Sequence, residues 1–338
     1  MARPLSAPAS ARVAIGLNAV LASVEDQRPK VLCARGPGRL FSLPYGPFDP
    51  ERHRTFEIGI REWVERQTHV NLGYVEQLYT FGDKGREAPA AELVGGEASD
   101  RVVSVGYLAL AAEPAAIDDA TAAWRDWYDF FPWEDWRRGE PAMLSAVILP
   151  GLFAWAAQAR DESAAENRRA RIRLAFGLDR DGWEEERTLD RFEVMYEAGL
   201  VAEATRDRKT ASRPLEGTGL EMASDHRRIL ATAIGRLRGK LKYRPVVFEL
   251  TPPTFTLLTL QRIVEAIVGF ELHKQNFRRS IEQSGLVVRT KASIQQTGGR
   301  PAALFRVNRP ALTDRAGKGL AIPRLRQAPA FTFPGAEA

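Results

Sequence analysis

Between residues 254 and 286 the apolar positions follow a helical rhythm that breaks once and restarts. Leu260, Ile263, Val264 and Ile267 share one face of a first helix at i, i+3, i+4 and i+7 spacing. Gly269 ends that helix, as a residue that enters the left-handed conformation without steric cost. A second helix runs over about 273–284, with Phe277 and Ile281 one turn apart on its inner side, and Gly285 stops it. Because those two are its only large apolar residues at that spacing, Gln275, Arg278 and Arg279 point outward, with Lys274 and Asn276 at the margins. Two β-prone runs follow, 286–290 and 303–307, around a polar loop whose tip holds Gly298, Gly299 and Arg300 and whose approach holds Lys291. Helix, tight turn, basic helix and glycine-tipped hairpin describe a winged helix-turn-helix, with the basic helix expected in the major groove of double-stranded DNA. Gln275, Arg278 and Arg279 suit paired hydrogen bonds to base edges, Lys274 suits phosphate, and Arg300 suits phosphate or the minor groove.

Upstream the periodicity changes. Residues 13–24 and 30–35 are β-prone around a turn at 26–29, and 75–81 and 101–110 are two further strands. A helix over 55–68 stands between them, with Ile58, Trp63 and Ile60 expected inward. This order predicts a compact α/β domain ending near residue 140. Residues 124–136 hold four of the seven tryptophans, read as rings that staple one domain to the next in preference to a ligand box. Residues 141–205 read as helical and 206–220 as a polar linker. A helix over 225–242 carries Ile229, Leu230, Ala233, Leu237 and Leu241 on one side and leads into the helix-turn-helix. The expected fold is α+β and multidomain: 1–140 for effector binding, 141–220 a helical segment and linker, and 221–338 for DNA binding.

Charge sharpens the DNA reading. The chain carries +5 overall, while residues 221–309 hold 16 Lys/Arg against 6 Asp/Glu, a local +10, as phosphate binding requires. One cysteine, Cys33, excludes an intrachain disulfide and a cysteine metal cluster and fits a reducing cytoplasm. No run approaches the roughly 18 apolar residues of a membrane span. His226, one of four scattered histidines, is read as a packed side chain before a ligand group.

The helix over 55–68 contains Arg61-Glu-Trp-Val-Glu65, which resembles the signature of the Nudix hydrolases, ending Arg-Glu-apolar-x-Glu-Glu-x-Gly. Arg61, Glu62 and Glu65 match. Arg66 replaces the second adjacent glutamate, Thr68 the glycine, and His53 the upstream glutamate. Carboxylates one turn apart can hold Mg²⁺ against a pyrophosphate, and a cation inserted among them repels the metal. No catalytic residue and no metal site are therefore expected.

With residues 76–83, 101–107, Asp225-His226, Asn276-Phe-Arg-Arg279 and Gly299-Arg-Pro-Ala302, the chain resembles the Nudix-related transcriptional regulators of NAD metabolism, of the NrtR and NadQ types. The resemblance covers 11–110 and 221–308; residues 115–215 have no counterpart in the shorter members. It implies a Nudix-like α/β/α sandwich, a winged helix, and a homodimer that represses NAD biosynthesis genes from a palindromic operator. It also implies an effector nucleotide (ADP-ribose, NAD or ATP), with no required cofactor. The expected ligand contacts lie beside the 55–68 helix: Arg35 and Arg61 for phosphate, Glu62 and Glu65 on the helix, Phe81 and Tyr107 for stacking. The competing readings are an active Nudix pyrophosphatase, against which Arg66 and His53 argue, and a winged adaptor protein, against which the basic helix argues.

Overall fold

The computed structural model describes residues 13–35, 40–83, 85–86, 101–114, 117, 122–179, 182–209, 215–295 and 301–314. Its centre is a mixed sheet of β1 (Val13–Glu25), β2 (Arg28–Arg35), β3 (Phe41–Ser42), β4 (Tyr45–Pro47), β5 (Tyr74–Phe81), β6 (Arg101–Leu110) and β7 (Ala122–Asp126). The strand order is β3-β2-β1-β6-β5, with β4 also paired to β1 and β7 to β2. β1 runs parallel to β6 from Val13↔Arg101 to Ala22↔Leu110 and antiparallel to β2. The β1–β2 turn places Asp26 and Gln27 at φ 48° and 63°, the mirror-image turn whose twist suits a hairpin.

One helix covers each face, giving an α/β/α sandwich. On one side α1 (Phe56–Thr68) sets Ile60 and Val64 against Leu17, Ala19, Val105 and Tyr107. Ile58, expected inward, is 46% exposed. The core face of α1 repeats through Gly59, Ile60, Val64 and Thr68, and Ile58 falls off that stripe. Trp63 instead lies over β4, where a Cβ on Gly46 would overlap its ring and where its indole N–H donates to the Pro47 carbonyl at 2.8 Å. On the other side, Ile229, Leu230, Ala233 and Leu237 belong to the same core as Val20, Ala22, Leu108 and Leu110. They lie on a long helix, His226–Tyr243. The sequence groups that helix with the DNA-binding segment; in the fold it closes the sheet.

Along the chain between β7 and the long helix come α2 (Leu149–Ala157, preceded by a π turn over Leu144–Ile148), α3 (Glu162–Phe176), α4 (Thr188–Glu197) and α5 (Ala202–Arg208), and the long helix is α6. The stretch read as a linker is packed where it is described. α5 runs to Arg208, and Thr218 is buried, its carbonyl accepting from Arg227. Trp127, Phe130, Phe131, Trp133 and Trp136 are all buried in the main core, so these rings are packing. Beyond α6 lie α7 (Leu257–Val268), α8 (Lys274–Ser284), the hairpin β8 (Val287–Ile294) and β9 (Ala302–Val307), and α9 (Arg309–Asp314). Phe277, Ile281 and Phe305 join the core that contains Leu108, so it is continuous from sheet to wing.

Phe131 is fully buried. Phe131→Ala should lower unfolding free energy by about 3–5 kcal/mol, the range for deleting a buried aromatic side chain. Urea denaturation checks this; an unchanged midpoint would mean that the aromatic segment is not core.

Candidate nucleic-acid interface and effector site

Local chemistry sets the helix-turn-helix. Thr256 caps α7 by accepting from the Thr259 amide at 3.0 Å, and Gly269 ends it at φ +81°. Two side chains that the sequence reading missed then fix the turn. The Gln261 amide donates to the Leu272 carbonyl at 2.9 Å, and the Glu265 carboxylate accepts from the Leu272 amide at 2.8 Å. Both are polar residues one turn apart on the face of α7 that meets the turn, which is the signal that could have found them. His273 caps α8 by accepting from the Asn276 amide. Asn308 donates its side-chain N–H to the Gly285 carbonyl at 2.9 Å, tying the end of the wing to the end of α8.

Phe277 and Ile281 are buried, while Lys274, Gln275, Asn276, Arg278 and Arg279 are all exposed. Lys274, Arg278 and Glu282 line one side of a cleft of about 830 Å³ whose far side is the wing, with Arg289 on β8. Arg278 Nε reaches Glu282 at 3.3 Å. Arg279 forms no ion pair with a described residue, which leaves it available to a base edge. Lys291 is exposed on β8; Gly299 and Arg300 lie outside the described residues.

The local +10 overstates the charge available to DNA. On α6, Arg227 pairs with Glu203 (3.1 Å), Arg228 with Glu193 (2.8 Å), Lys242 with Glu186 (2.8 Å), Arg238 with Glu134, and Lys240 with Glu76. Arg236 also approaches Glu76, at 3.7 Å. α6 lies between two layers, so cations around its circumference meet carboxylates of both. The described cations that form no such pair include Lys274 and Arg279 on α8 and Arg289 and Lys291 on β8.

At the degenerate signature, Glu62 is enclosed by donors: Arg52 at 3.1 Å, Arg66 one turn on, and His53 Nε2 at 3.3 Å. His53 is buried, and its Nδ1 accepts from the Asp49 amide at 3.0 Å. That leaves Nε2 as the N–H nitrogen facing Glu62. Two guanidiniums and one carboxylate remain, an arrangement that repels a divalent cation and favours an anion. Among the described residues no group of three or more His, Cys, Asp or Glu could hold a metal ion.

Arg61, Glu62 and Glu65 share α1, but Arg61 is engaged. It pairs with Glu57 at 2.9 Å and donates to the carbonyls of Leu72 and Gly73. Glu65 is exposed, as is Arg35 at the end of β2. Phe81 and Tyr107 lie on opposite faces of the sheet, Phe81 in the α6-side core with the Arg228 guanidinium 5.3 Å from its ring centroid, Tyr107 in the α1-side core. One ligand cannot stack on both. Arg52, which the sequence reading missed, joins the cluster because the turn from Asp49 brings it over α1.

Residues 247–307 match the family described as the NrtR DNA-binding winged helix domain. An 87-residue stretch is 44% identical to the "ADPR responsive transcriptional repressor NtrR" of Acinetobacter baylyi, covering 26% of this chain and 34% of that relative's length. By fold, the chain resembles crystal structures of Shewanella oneidensis NrtR, free and complexed with a 27mer DNA. Each gives a TM-score of 0.51 at 20% identity over 90% of this chain, and 98% and 97% of theirs. The architecture is an α/β/α sandwich joined to a C-terminal winged helix, and the family match falls on the winged helix. No described helix is long and apolar enough to cross a membrane.

His226 is fully buried at the start of α6, its Nδ1 accepting from the Leu43 amide at 2.9 Å. Burial, aided by Arg206, depresses its pKa from 6.5 to about 3. The unfolded chain therefore takes up a proton below about pH 6.5 that the folded chain refuses until about pH 3. Stability should fall as pH drops through that window, by about 1.4 kcal/mol per pH unit from this group. His226→Gln should lack this part of the acid slope in denaturation at pH 4–7; an identical slope would show that the imidazole is not held neutral.

Proposed function

We propose that the chain, which carries an NrtR-type winged helix behind a Nudix-like domain, is a DNA-binding transcriptional repressor of NAD biosynthesis genes. It acts in the cytoplasm as a homodimer on a palindromic operator, and an adenine nucleotide controls it, ADP-ribose ahead of NAD or ATP. The observation that carries this reading is the winged domain, where residues 247–307 match the NrtR DNA-binding winged helix domain and an exposed basic helix stands on an apolar anchor; the 87-residue stretch 44% identical to an ADP-ribose-responsive repressor supports it. In this proposal residues 1–140 bind the effector, 141–220 are a helical segment, and 221–338 read DNA, with α6 shared between sensor and reader.

The nucleotide sits beside α1, where Arg52 and Arg66 meet the diphosphate in place of a metal. Arg35 contributes from the end of β2, Glu62 orients the two guanidiniums, and Glu65 faces the ligand's polar end. Arg61 holds the loop after α1, and Tyr107 and Phe81 shape the two faces of the sheet. The chain is not an enzyme: the arginines occupy the space that activated water and Mg²⁺ would need. Calorimetry should find ADP-ribose binding equally with Mg²⁺ and with EDTA, weakened at least tenfold by Arg66→Glu. Turnover of about 1 per second or more would contradict the assignment.

On DNA, Gln275, Arg278 and Arg279 read bases, Lys274, Lys291 and Arg300 neutralise phosphates, and Gly299 lets the wing approach the backbone. Arg279→Ala should weaken specific binding by about 1–3 kcal/mol and relax preference at one base pair. Lys274→Ala should weaken all sequences alike and flatten the salt dependence. Mobility shifts on DNA upstream of NAD biosynthesis genes test both. Unchanged affinity and salt slope in an Arg278→Ala, Arg279→Ala double variant would remove the recognition-helix assignment.

A further inference from the structure

We infer that the helix-turn-helix and the Nudix-like domain of one chain are a single rigid unit. Tyr128, Glu134, Arg191 and Arg238 are the positioning residues that fasten them at the C-terminal end of α7. An effector then acts by moving whole chains against one another, not by hinging the reader on its sensor. Only this last consequence rests on the proposed function.

The end of a helix leaves carbonyls without intrahelical partners. Here the sensor side supplies them. The Tyr128 hydroxyl donates to the Ala266 carbonyl at 2.8 Å, Arg238 Nε to Ile267 at 2.9 Å, and the Trp136 amide to Gly269 at 2.7 Å. Tyr128 and Trp136 belong to the aromatic segment that continues β7, and β7 is paired to β2 from Lys30↔Asp126 to Ala34↔Ala122. Arg238 belongs to α6, the cover of the sheet. The approach is close: a Cβ on Gly269 would overlap the Glu134 carbonyl oxygen and lie 2.9 Å from the Tyr128 hydroxyl.

Behind this contact, Glu134 is held by Arg191 at 2.6 Å and by Arg238, all three side chains at 0% exposure. Two guanidiniums against one carboxylate leave one excess positive charge in the interior. Helix ends receive it: Arg191 donates to Ala175, in the last turn of α3, at 2.9 Å, and Arg238 to Ile267, in the last turn of α7. Both are the negative poles of helix dipoles. A buried cluster of this kind adds little net stability, but leaving any member unpaired is costly, so it tolerates one relative placement of α3, α4, α6 and α7. Domains in one chain are expected to move unless their interface is large and apolar; here the Trp136 ring packs at a tilt against both Trp183 and Phe270, at 4.7 and 5.8 Å between centroids.

The test is the distance between spin labels on Gln77→Cys in β5 and Gln283→Cys in α8 of the full chain, both exposed positions. Cys33 stays unlabelled, because burial pushes its thiol up to about 12. The expected result is one narrow distance distribution, unchanged by ADP-ribose or by operator DNA. A second peak, or a shift beyond about 2 Å, the scale of hinge closure, would overturn the rigid unit. Tyr128→Phe, which keeps the ring and every charge, should broaden the distribution, and Arg191→Lys should do so in a chain with unchanged circular dichroism. If Tyr128→Phe leaves it as narrow as before, the fastening is not at this contact. ADP-ribose binding is measured separately by calorimetry. If it is absent, the effector assignment fails, while the ligand-free and operator-bound distances still decide the rigid unit.

Discussion

A carboxylate with no access to water must be surrounded by donors, and Glu134 meets that requirement with two arginines from different helices. Burial alone would raise its pKa; Arg191 and Arg238 outweigh that and hold it below the usual carboxylate range. Much of the architecture depends on this arrangement. Arg191 brings α4 to the aromatic segment, Arg238 brings α6, and the same Arg238 completes the last turn of α7. The winged helix is therefore positioned by the interior of the sheet domain. Residues 141–208, which the shorter regulators were expected to lack, contribute Arg191 to that interior.

The two candidate surfaces differ in how their charges are paired. At α8 the apolar pair Phe277 and Ile281 is withdrawn, and every polar side chain called on for DNA is exposed. At α1 the residues of a catalytic signature persist in part, but Arg52 and Arg66 close on Glu62. Two guanidiniums around one carboxylate make this corner of α1 a poorer place for a divalent cation than for an anion.

The helix-turn-helix was legible because its determinants are local: a heptad-like stripe, two glycines in the left-handed region and an i, i+4 apolar pair fix it without reference to the rest of the chain. Strand parity was not. Phe81 and Tyr107 look alike in sequence, yet a register shift between Gln77 and Thr80 and the pairing of β5 with β6 set them on opposite faces. The charge on α6 was legible as a sum but not as a destination, because Glu76, Glu134, Glu193 and Glu203 come from distant segments. Gly269 was read for its conformation alone, and its second reason, the close approach of Glu134, needs the tertiary fold.

The central claim joins two sites, so the most direct measurement observes both together. Fluorescence anisotropy of a labelled operator duplex, titrated with the full chain in EDTA with and without saturating ADP-ribose, gives the coupling free energy. The account predicts that ADP-ribose changes operator affinity by roughly 5- to 150-fold, the range of about 1–3 kcal/mol, without a divalent cation. Identical binding curves, or a difference that appears only with Mg²⁺, would contradict it.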